Sequence, residues 1–124
     1  MTAAGLQLTH TAGDRVEGFI ELGPQHHQPF GIVHGGVYAS AVETAASVGA
    51  SMAASTSGLT AVGVHNSTHF IRSMTGGRVD VVATPIQQGR TQQLWEVRIT
   101  DAEERLVALG QVRLQNVTRR VSGS

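Results

Sequence analysis

The sequence predicts an α+β domain in which an antiparallel sheet wraps around one long central helix. Three observations support this class. One early segment alternates like a strand, one long segment is small and apolar, and four strand-like segments with short connections follow. A chain of 124 residues suits a single domain spanning residues 1–124, with its core at about residues 14–117.

The first predicted element is a strand at residues 14–22. Val16, Ile20 and Leu22 fall on one face, and charged residues occupy the other. The pair Gly23-Pro24 ends this strand, and the Gln- and His-rich stretch that follows is typical of an ordered loop.

The second predicted element is the central helix, at residues 36–54. Its residues are small and apolar on nearly every side, which indicates a helix buried inside the protein. A Ser-Thr-Ser-Gly segment at residues 55–58 breaks it.

Four strand-like segments follow, at residues 59–72, 78–88, 91–100 and 105–117. Their connections are short, which predicts antiparallel hairpins between successive strands. Trp95, Val97 and Ile99 alternate with mostly polar residues, so that strand also has one wet face. The polar residues 118–124 are expected to form a frayed tail.

Composition excludes several classes of function. The nine basic and nine acidic residues give no net charge, and the arginines are spread along the chain, so a nucleic-acid partner is not expected. The absence of cysteine excludes disulfides, thiolate metal sites and a cysteine nucleophile. Residues 1–5 lack the basic and apolar pattern of a signal peptide, and no apolar stretch is long enough to span a membrane, so we expect a soluble, cytoplasmic protein without membrane contact.

Glu43 is the sharpest single feature. Between Glu21 and Arg72 it is the only Asp, Glu, Lys or Arg, and it lies in the middle of the most apolar predicted helix. A buried carboxylate is costly unless it is paired or solvated. Two interpretations stay open: a structural Glu bonded to the backbone or to an arginine, or a functional carboxylate in a cleft that holds water.

The start of the predicted helix is the second feature. His34-Gly35-Gly36 precedes the apolar segment, and the unpaired N–H groups of a helix N-terminus can stabilise a developing oxyanion. Gly35 and Glu43 are eight residues apart, which is about 12 Å along a helix. If the two cooperate, Glu43 must come from a second subunit of a symmetric dimer. Ser47, at i+4 from Glu43, could hold the carboxylate or a water.

The sequence lacks the motifs of several other kinds of active or binding site. His65 and His69 lie on a predicted strand, about 13 Å apart, which is too far to share a zinc ion. The sequence has no Gly-x-Ser-x-Gly elbow, no dinucleotide fingerprint and no phosphate-binding loop.

Together these residues resemble a known family. The segment at residues 28–36, Gln-Pro-Phe-Gly-Ile-Val-His-Gly-Gly, followed by Glu43 and Ser47, is similar to hotdog-fold thioesterases that act on 4-hydroxybenzoyl-CoA, phenylacetyl-CoA and 1,4-dihydroxy-2-naphthoyl-CoA. Later stretches agree: Val62-Gly63 leading to Asn66, Ile71-Arg72-Ser73, Gly77-Arg78-Val79, Gly89-Arg90 and Trp95-Glu96-Val97. The resemblance covers roughly residues 14–117.

The resemblance implies a catalytic role for each matching residue. The Gly35 amide would polarise the thioester carbonyl, with His34 beside the thioester. Gln28 would place the substrate or the attacking water. Glu43 of the partner subunit would act as general base or nucleophile, and Ser47 would assist it.

The resemblance also implies a substrate and an assembly. The expected substrate is an acyl-CoA, with an aromatic acyl group, hydrolysed without a metal or a cofactor. Positions that meet CoA phosphates in this group correspond to Arg72, Arg90, Thr91 and Arg120, and Arg90 stands where a relative has serine. The implied hotdog fold forms homodimers with shared active sites, and many members pair these into homotetramers.

Two alternatives remain at this stage. One is a non-catalytic acyl-CoA binding module on the same fold, which the combination of Gln28, Glu43 and Ser47 disfavours. The other is a hydroxyacyl dehydratase, another hotdog activity, because residues 26–30 faintly resemble the His-x-x-Pro-Phe segment of that family. Its acid partner would be expected near position 40, which is Ser40 here.

Overall fold

The computed structural model describes residues 5–23, 26, 31 and 33–118. Within these ranges the chain forms six strands and one helix: β1 (Gln7–Ala12), β2 (Arg15–Leu22), α1 (Gly35–Ser55), β3 (Leu59–Phe70), β4 (Gly77–Gln88), β5 (Gln92–Thr100) and β6 (Leu106–Thr118). The helix and five of the strands are the predicted ones, and their ends differ from the predictions by at most two residues. Residues 119–124 of the predicted tail lie outside the described residues.

The strand β1 was not predicted. Its sequence, Gln-Leu-Thr-His-Thr-Ala, lacks an apolar face, and nearly all of its residues are exposed. It forms because its backbone pairs antiparallel with β2, so main-chain hydrogen bonds rather than side-chain burial hold it in place.

The six strands form one antiparallel sheet in the order β1-β2-β4-β5-β6-β3. The predicted hairpins β4–β5 and β5–β6 are confirmed. The predicted hairpin between β3 and β4 is wrong, because β3 pairs with β6 at one edge while β4 pairs with β2. Six residues, 71–76, can span at most about 20 Å, which is enough to cross the three strand spacings of about 14 Å between β3 and β4.

The helix α1 packs against the sheet and contacts every strand. Small buried residues such as Ala41, Ala45 and Ala46 let it approach the sheet closely. Gln93 ties the two layers together, since it donates to the Ala50 carbonyl at 2.9 Å and accepts from the Trp95 indole at 2.8 Å. In the described part of the chain, no helix is both long and apolar enough to cross a membrane.

The helix runs alongside β3 in the opposite direction. Its first residue, Gly35, lies near Phe70 at the end of β3. Further along, Ser51 bonds the backbone of Ala61, near the start of that strand. Each turn of α1 therefore faces a defined position on β3.

β3 forms an uncovered edge of the sheet. Val62 and Val64 on this strand are 45% and 55% exposed, and Phe70 is 60% exposed. The strand carries no Asp, Glu, Lys or Arg. A long, uncharged edge strand is a template for pairing with another strand.

Candidate active site

Among the described residues, the N-terminus of α1 has one backbone N–H without a hydrogen-bond partner, that of Gly35. His34 is the N-cap, and its Nδ1 accepts a hydrogen bond from the Gly36 N–H at 2.9 Å. An accepting Nδ1 requires a neutral ring that carries its proton on Nε2. The Val37 N–H donates to the His34 carbonyl at 3.0 Å. The Gly35 N–H has no partner among the described residues, so it is the donor left open at the positive end of the helix.

A cavity of about 180 Å³ lies beside Gly35. Val33, Tyr38 and Phe70 contribute to its largely apolar wall. The Phe70 ring packs so close to Gly35 that a Cβ there would lie 3.0 Å from the ring atom Cζ. A glycine at this position therefore keeps space between the ring and the helix N-terminus.

Glu43 lies eight residues further along α1, where it is half-buried. Ser47 Oγ donates to its Oε2 at 3.3 Å, and Asn66 Nδ2 donates to its Oε1 at 3.2 Å. No arginine pairs with Glu43 within the described ranges. Two neutral donors thus offset the desolvation of this carboxylate, and the expected contact with Ser47 is present.

The strand β3 contacts the Glu43 carboxylate through Gly63 and Asn66. Gly63 lies directly beneath it, and a Cβ on Gly63 would overlap Oε2. The pairing of β3 with β6 shifts register between Gly63 and His65, which marks a β-bulge at Val64. The bulge reverses the alternation of side chains, so Asn66 rather than His65 faces the helix.

Asn66 is the contact that sequence reasoning did not assign. The resemblance includes this residue but gives it no role. A strict alternation from Ala61 onward would turn Asn66 away from the helix. A glycine inside a strand was the available signal, because such a glycine often marks a bulge or a close approach.

The structure does not bring Gly35 and Glu43 of one chain together. Eight residues of helix separate them by about 12 Å along the axis. The predicted arginines are also divided between the two ends of α1. Arg72 lines the cavity beside Gly35, whereas Arg90 lines a second cavity, of about 210 Å³, beside Ala53.

Several sequence predictions have simpler outcomes. Gln28 and Arg120 lie outside the described residues, so their predicted roles stay predictions. Thr91 is exposed next to Arg90. His65 and His69 are exposed on β3, and the described residues contain no group of three or more His, Cys, Asp or Glu side chains that could hold a metal ion.

His26 is the first residue of the segment that resembles the dehydratase motif, and it takes part in holding the fold together. It is buried, its Nδ1 accepts from the Gly23 N–H at 3.1 Å, and its carbonyl accepts from the His34 N–H at 2.7 Å. These bonds fix the entry to α1, which gives His26 a structural function.

Comparison with known proteins identifies the family. A sequence model of the thioesterase superfamily matches residues 30–108, more than half of the chain. A Mycobacterium tuberculosis protein named as an esterase is 44% identical over 118 residues, which cover 94% of this chain and 84% of that protein. Its solved structure superimposes with a TM-score of 0.91 at 44% identity and covers 95% of both chains.

Two further relatives have more specific names. The proofreading thioesterase EntH of Cronobacter turicensis is 34% identical over 101 residues, which cover 82% of this chain and 73% of that protein. The 1,4-dihydroxy-2-naphthoyl-CoA hydrolase of Listeria monocytogenes is 34% identical over 90 residues, covering 73% of this chain and 72% of that protein. The fold is the hotdog fold of this family, and the chain belongs to the thioesterase superfamily as a thioester hydrolase.

Proposed function

We propose that this thioesterase hydrolyses acyl-CoA thioesters with an aromatic acyl group, at sites shared between the two subunits of a homodimer. One observation carries the proposal. Among the described residues the Gly35 N–H of α1 has no partner and the Glu43 carboxylate accepts only from neutral donors, yet the two groups lie too far apart to act on one carbonyl. The name of the Listeria monocytogenes relative supports an aromatic acyl-CoA substrate.

The Gly35 amide is the proposed electrophilic element. A thioester carbonyl in the adjoining cavity would accept a hydrogen bond from this N–H, which gains strength as the oxygen becomes negative. His34 contributes by satisfying the Gly36 amide, which directs the substrate oxygen to Gly35. Gln28, outside the described residues, is proposed to place the substrate or the attacking water.

Glu43 of the partner subunit is the proposed base or nucleophile. As a base it would take a proton from water while the water oxygen bonds to the carbonyl carbon. The tetrahedral intermediate would then expel the thiolate of CoA, which takes that proton as the C–S bond breaks. As a nucleophile it would attack the carbonyl carbon and expel the thiolate of CoA as the C–S bond breaks; water would then hydrolyse the resulting acyl anhydride to the free acid and the Glu43 carboxylate, and its proton would neutralise the thiolate. Ser47 holds Oε2 in either case.

The edge of β3 is the proposed dimer interface. Antiparallel pairing of two β3 strands would continue the sheet and cover an uncharged edge. Position 39 is midway between Gly35 and Glu43, and the Ala39 carbonyl bonds Asn66. A two-fold axis near Asn66 would therefore bring Glu43 of each subunit to Gly35 of the other.

The same symmetry would bring the separated arginines closer together. Arg72 lies beside Gly35 and Arg90 beside Ala53, and these two helix residues are about 27 Å apart along the axis of α1. With the two-fold axis near position 39, Arg72 of one subunit would lie level with Glu43 of the other, about 15 Å along the helix from the end beside Arg90 and Thr91. We propose that these residues bind CoA phosphates, and we assign the same role to Arg120, outside the described residues.

Thiol release from a panel of CoA esters tests the proposal. The panel compares benzoyl-CoA and its hydroxylated analogues with acetyl-CoA and a long-chain acyl-CoA. We expect the aromatic esters to be turned over best, and Glu43→Gln to lower kcat by about 100-fold or more. Glu21→Gln, at an exposed carboxylate on β2, is the matched control and should keep full activity.

Two outcomes would contradict the proposal. If no CoA ester releases thiol, the substrate class is wrong. If Glu43→Gln keeps full activity, the catalytic assignment is wrong. A single turnover with excess enzyme in ¹⁸O-labelled water tests the nucleophilic role of Glu43, since label enters its carboxylate only if an anhydride forms and water attacks it at the Glu43 carbon.

A further inference from the structure

A chain of hydrogen bonds runs from β3 to the Glu43 carboxylate. Thr68 Oγ1 donates to Asn66 Oδ1 at 2.7 Å. The amide nitrogen of Asn66 donates to Glu43 Oε1 and to the Ala39 carbonyl, both at 3.2 Å. Asn66 thus uses its oxygen and both of its N–H groups in this chain.

The amide of Asn66 has only one workable orientation. A flipped amide would turn its oxygen toward two acceptors, Glu43 and the Ala39 carbonyl, and its NH₂ group toward Thr68. The Glu43 carboxylate and the Ala39 carbonyl can only accept, so they select the orientation in which nitrogen faces them. The Thr68 hydroxyl then donates to the remaining Oδ1, in the shortest bond of the three.

A glutamate has three side-chain torsions, so one bond holds its carboxylate loosely. Ser47 supplies a single bond, at 3.3 Å, to Oε2. Asn66 adds a second bond, to Oε1, from a side chain that is itself anchored to the backbone of α1. With both oxygens held from different elements, the carboxylate plane is fixed relative to the edge of β3.

We propose that Asn66 is a positioning residue for the reaction: it aims the Glu43 carboxylate at the substrate, and Thr68 holds the oxygen of the Asn66 amide in place. This inference rests on the proposed function of Glu43. The bulge at Val64 supports it, because a bulge costs regular pairing and here turns Asn66 toward the carboxylate.

Variants of Asn66 separate positioning from a merely structural tie between α1 and β3. Asn66→Asp keeps the size of the side chain and the oxygen that accepts from Thr68. It replaces the NH₂ group that donates to Glu43 with a second oxygen, which repels the carboxylate. Asn66→Ala removes all three bonds. We expect both variants to lower kcat by about 10- to 100-fold and to change KM by less than about threefold, because a misplaced base affects the chemical step.

A double-mutant cycle gives the readout that a structural role would not produce. If Asn66 acts through Glu43, Asn66→Ala should hardly slow the residual reaction of Glu43→Gln. Thr68→Val should lower kcat several-fold when Glu43 is intact. If Asn66→Ala does not fold, Thr68→Val takes its place in the cycle. Melting temperature and dimer content are measured for each variant.

The outcomes distinguish this inference from the proposed function. Full kcat in Asn66→Asp and Thr68→Val would overturn the positioning role while leaving Glu43 as the catalytic group. An equal loss from Asn66→Ala in both backgrounds would overturn it in favour of a structural role. Full activity in Glu43→Gln would instead overturn the proposed function itself.

Discussion

The Glu43 carboxylate lies directly against the backbone of Gly63, leaving no room for a Cβ at that position. We therefore predict that Gly63→Ala displaces the carboxylate and lowers kcat by about 10- to 100-fold, because small misplacements of a catalytic group are costly. Glu43 can rotate away, so the melting temperature should change little. Gly76→Ala, which meets only an ordinary contact at 3.9 Å, should keep full kcat.

Gly35→Pro tests the amide at the helix start. Proline is tolerated at the first position of a helix, and the extended conformation of His34 suits a residue before proline. The substitution deletes the N–H, whereas Gly35→Ala keeps it and meets the same Phe70 ring. We expect Gly35→Pro to lose about 100-fold or more in kcat relative to Gly35→Ala, measured by thiol release. Equal rates in the two variants would remove the amide from the mechanism.

A charge near the proposed two-fold axis should separate the subunits. Ser67→Asp would place two like charges close together if β3 pairs with itself near Asn66. We expect light scattering to show a monomer and activity to fall with it. Gln7→Asp adds the same charge to β1 at the other edge, and it should leave the assembly intact. A fully dimeric Ser67→Asp would place the interface elsewhere.

Tyr38 gives the stability of the fold a dependence on alkaline pH. Burial raises the pKa of its phenol to about 12, and its hydroxyl has no hydrogen-bond partner in the described structure. The folded state binds the phenol proton more tightly than the unfolded state does. The stability that this protonation contributes is therefore fully present below about pH 10 and is lost as the pH rises toward 12.

The measurement is an ultraviolet titration of tyrosinate, which reports Tyr38 alone because the chain has one tyrosine. Denaturant unfolding follows the same pH range. Tyr38→Phe should be at least as stable at neutral pH, since it removes an unpaired buried hydroxyl, and it should lose less stability above pH 10. A phenol that titrates at its ordinary pKa would contradict the burial of this side chain.

The helix and most strands could be predicted because side-chain pattern decides them. The apolar positions of β2 and β5 repeat every second residue, and α1 is apolar on nearly all sides. Strand order was harder, because it depends on contacts distant in sequence. A six-residue connection suits a hairpin equally well, and only the pairing of β4 with β2 and β5 excludes one.

The sequence allowed the chemical groups of the candidate site to be predicted, but not how the strand arranges them. Glu43 stood out because no other charged side chain occurs nearby in sequence, and the N-terminal amide followed from helix geometry. Asn66 could not be placed, because one extra residue at Val64 moves every later side chain of β3 to the other face. The separation of Gly35 and Glu43, by contrast, follows from helix rise alone.

The central claim is that Glu43 of one subunit serves Gly35 of the other, and mixing two inactive variants tests it most directly. Glu43→Gln and Gly35→Pro proteins are unfolded together and refolded so that their subunits exchange, which differently tagged chains verify. Each mixed dimer then contains one site with both groups intact and one with neither. Since about half of the dimers are mixed, thiol release should recover to about a quarter of the wild-type rate. Mixed dimers that form and stay inactive would show that each site takes both groups from one chain, and would contradict the claim.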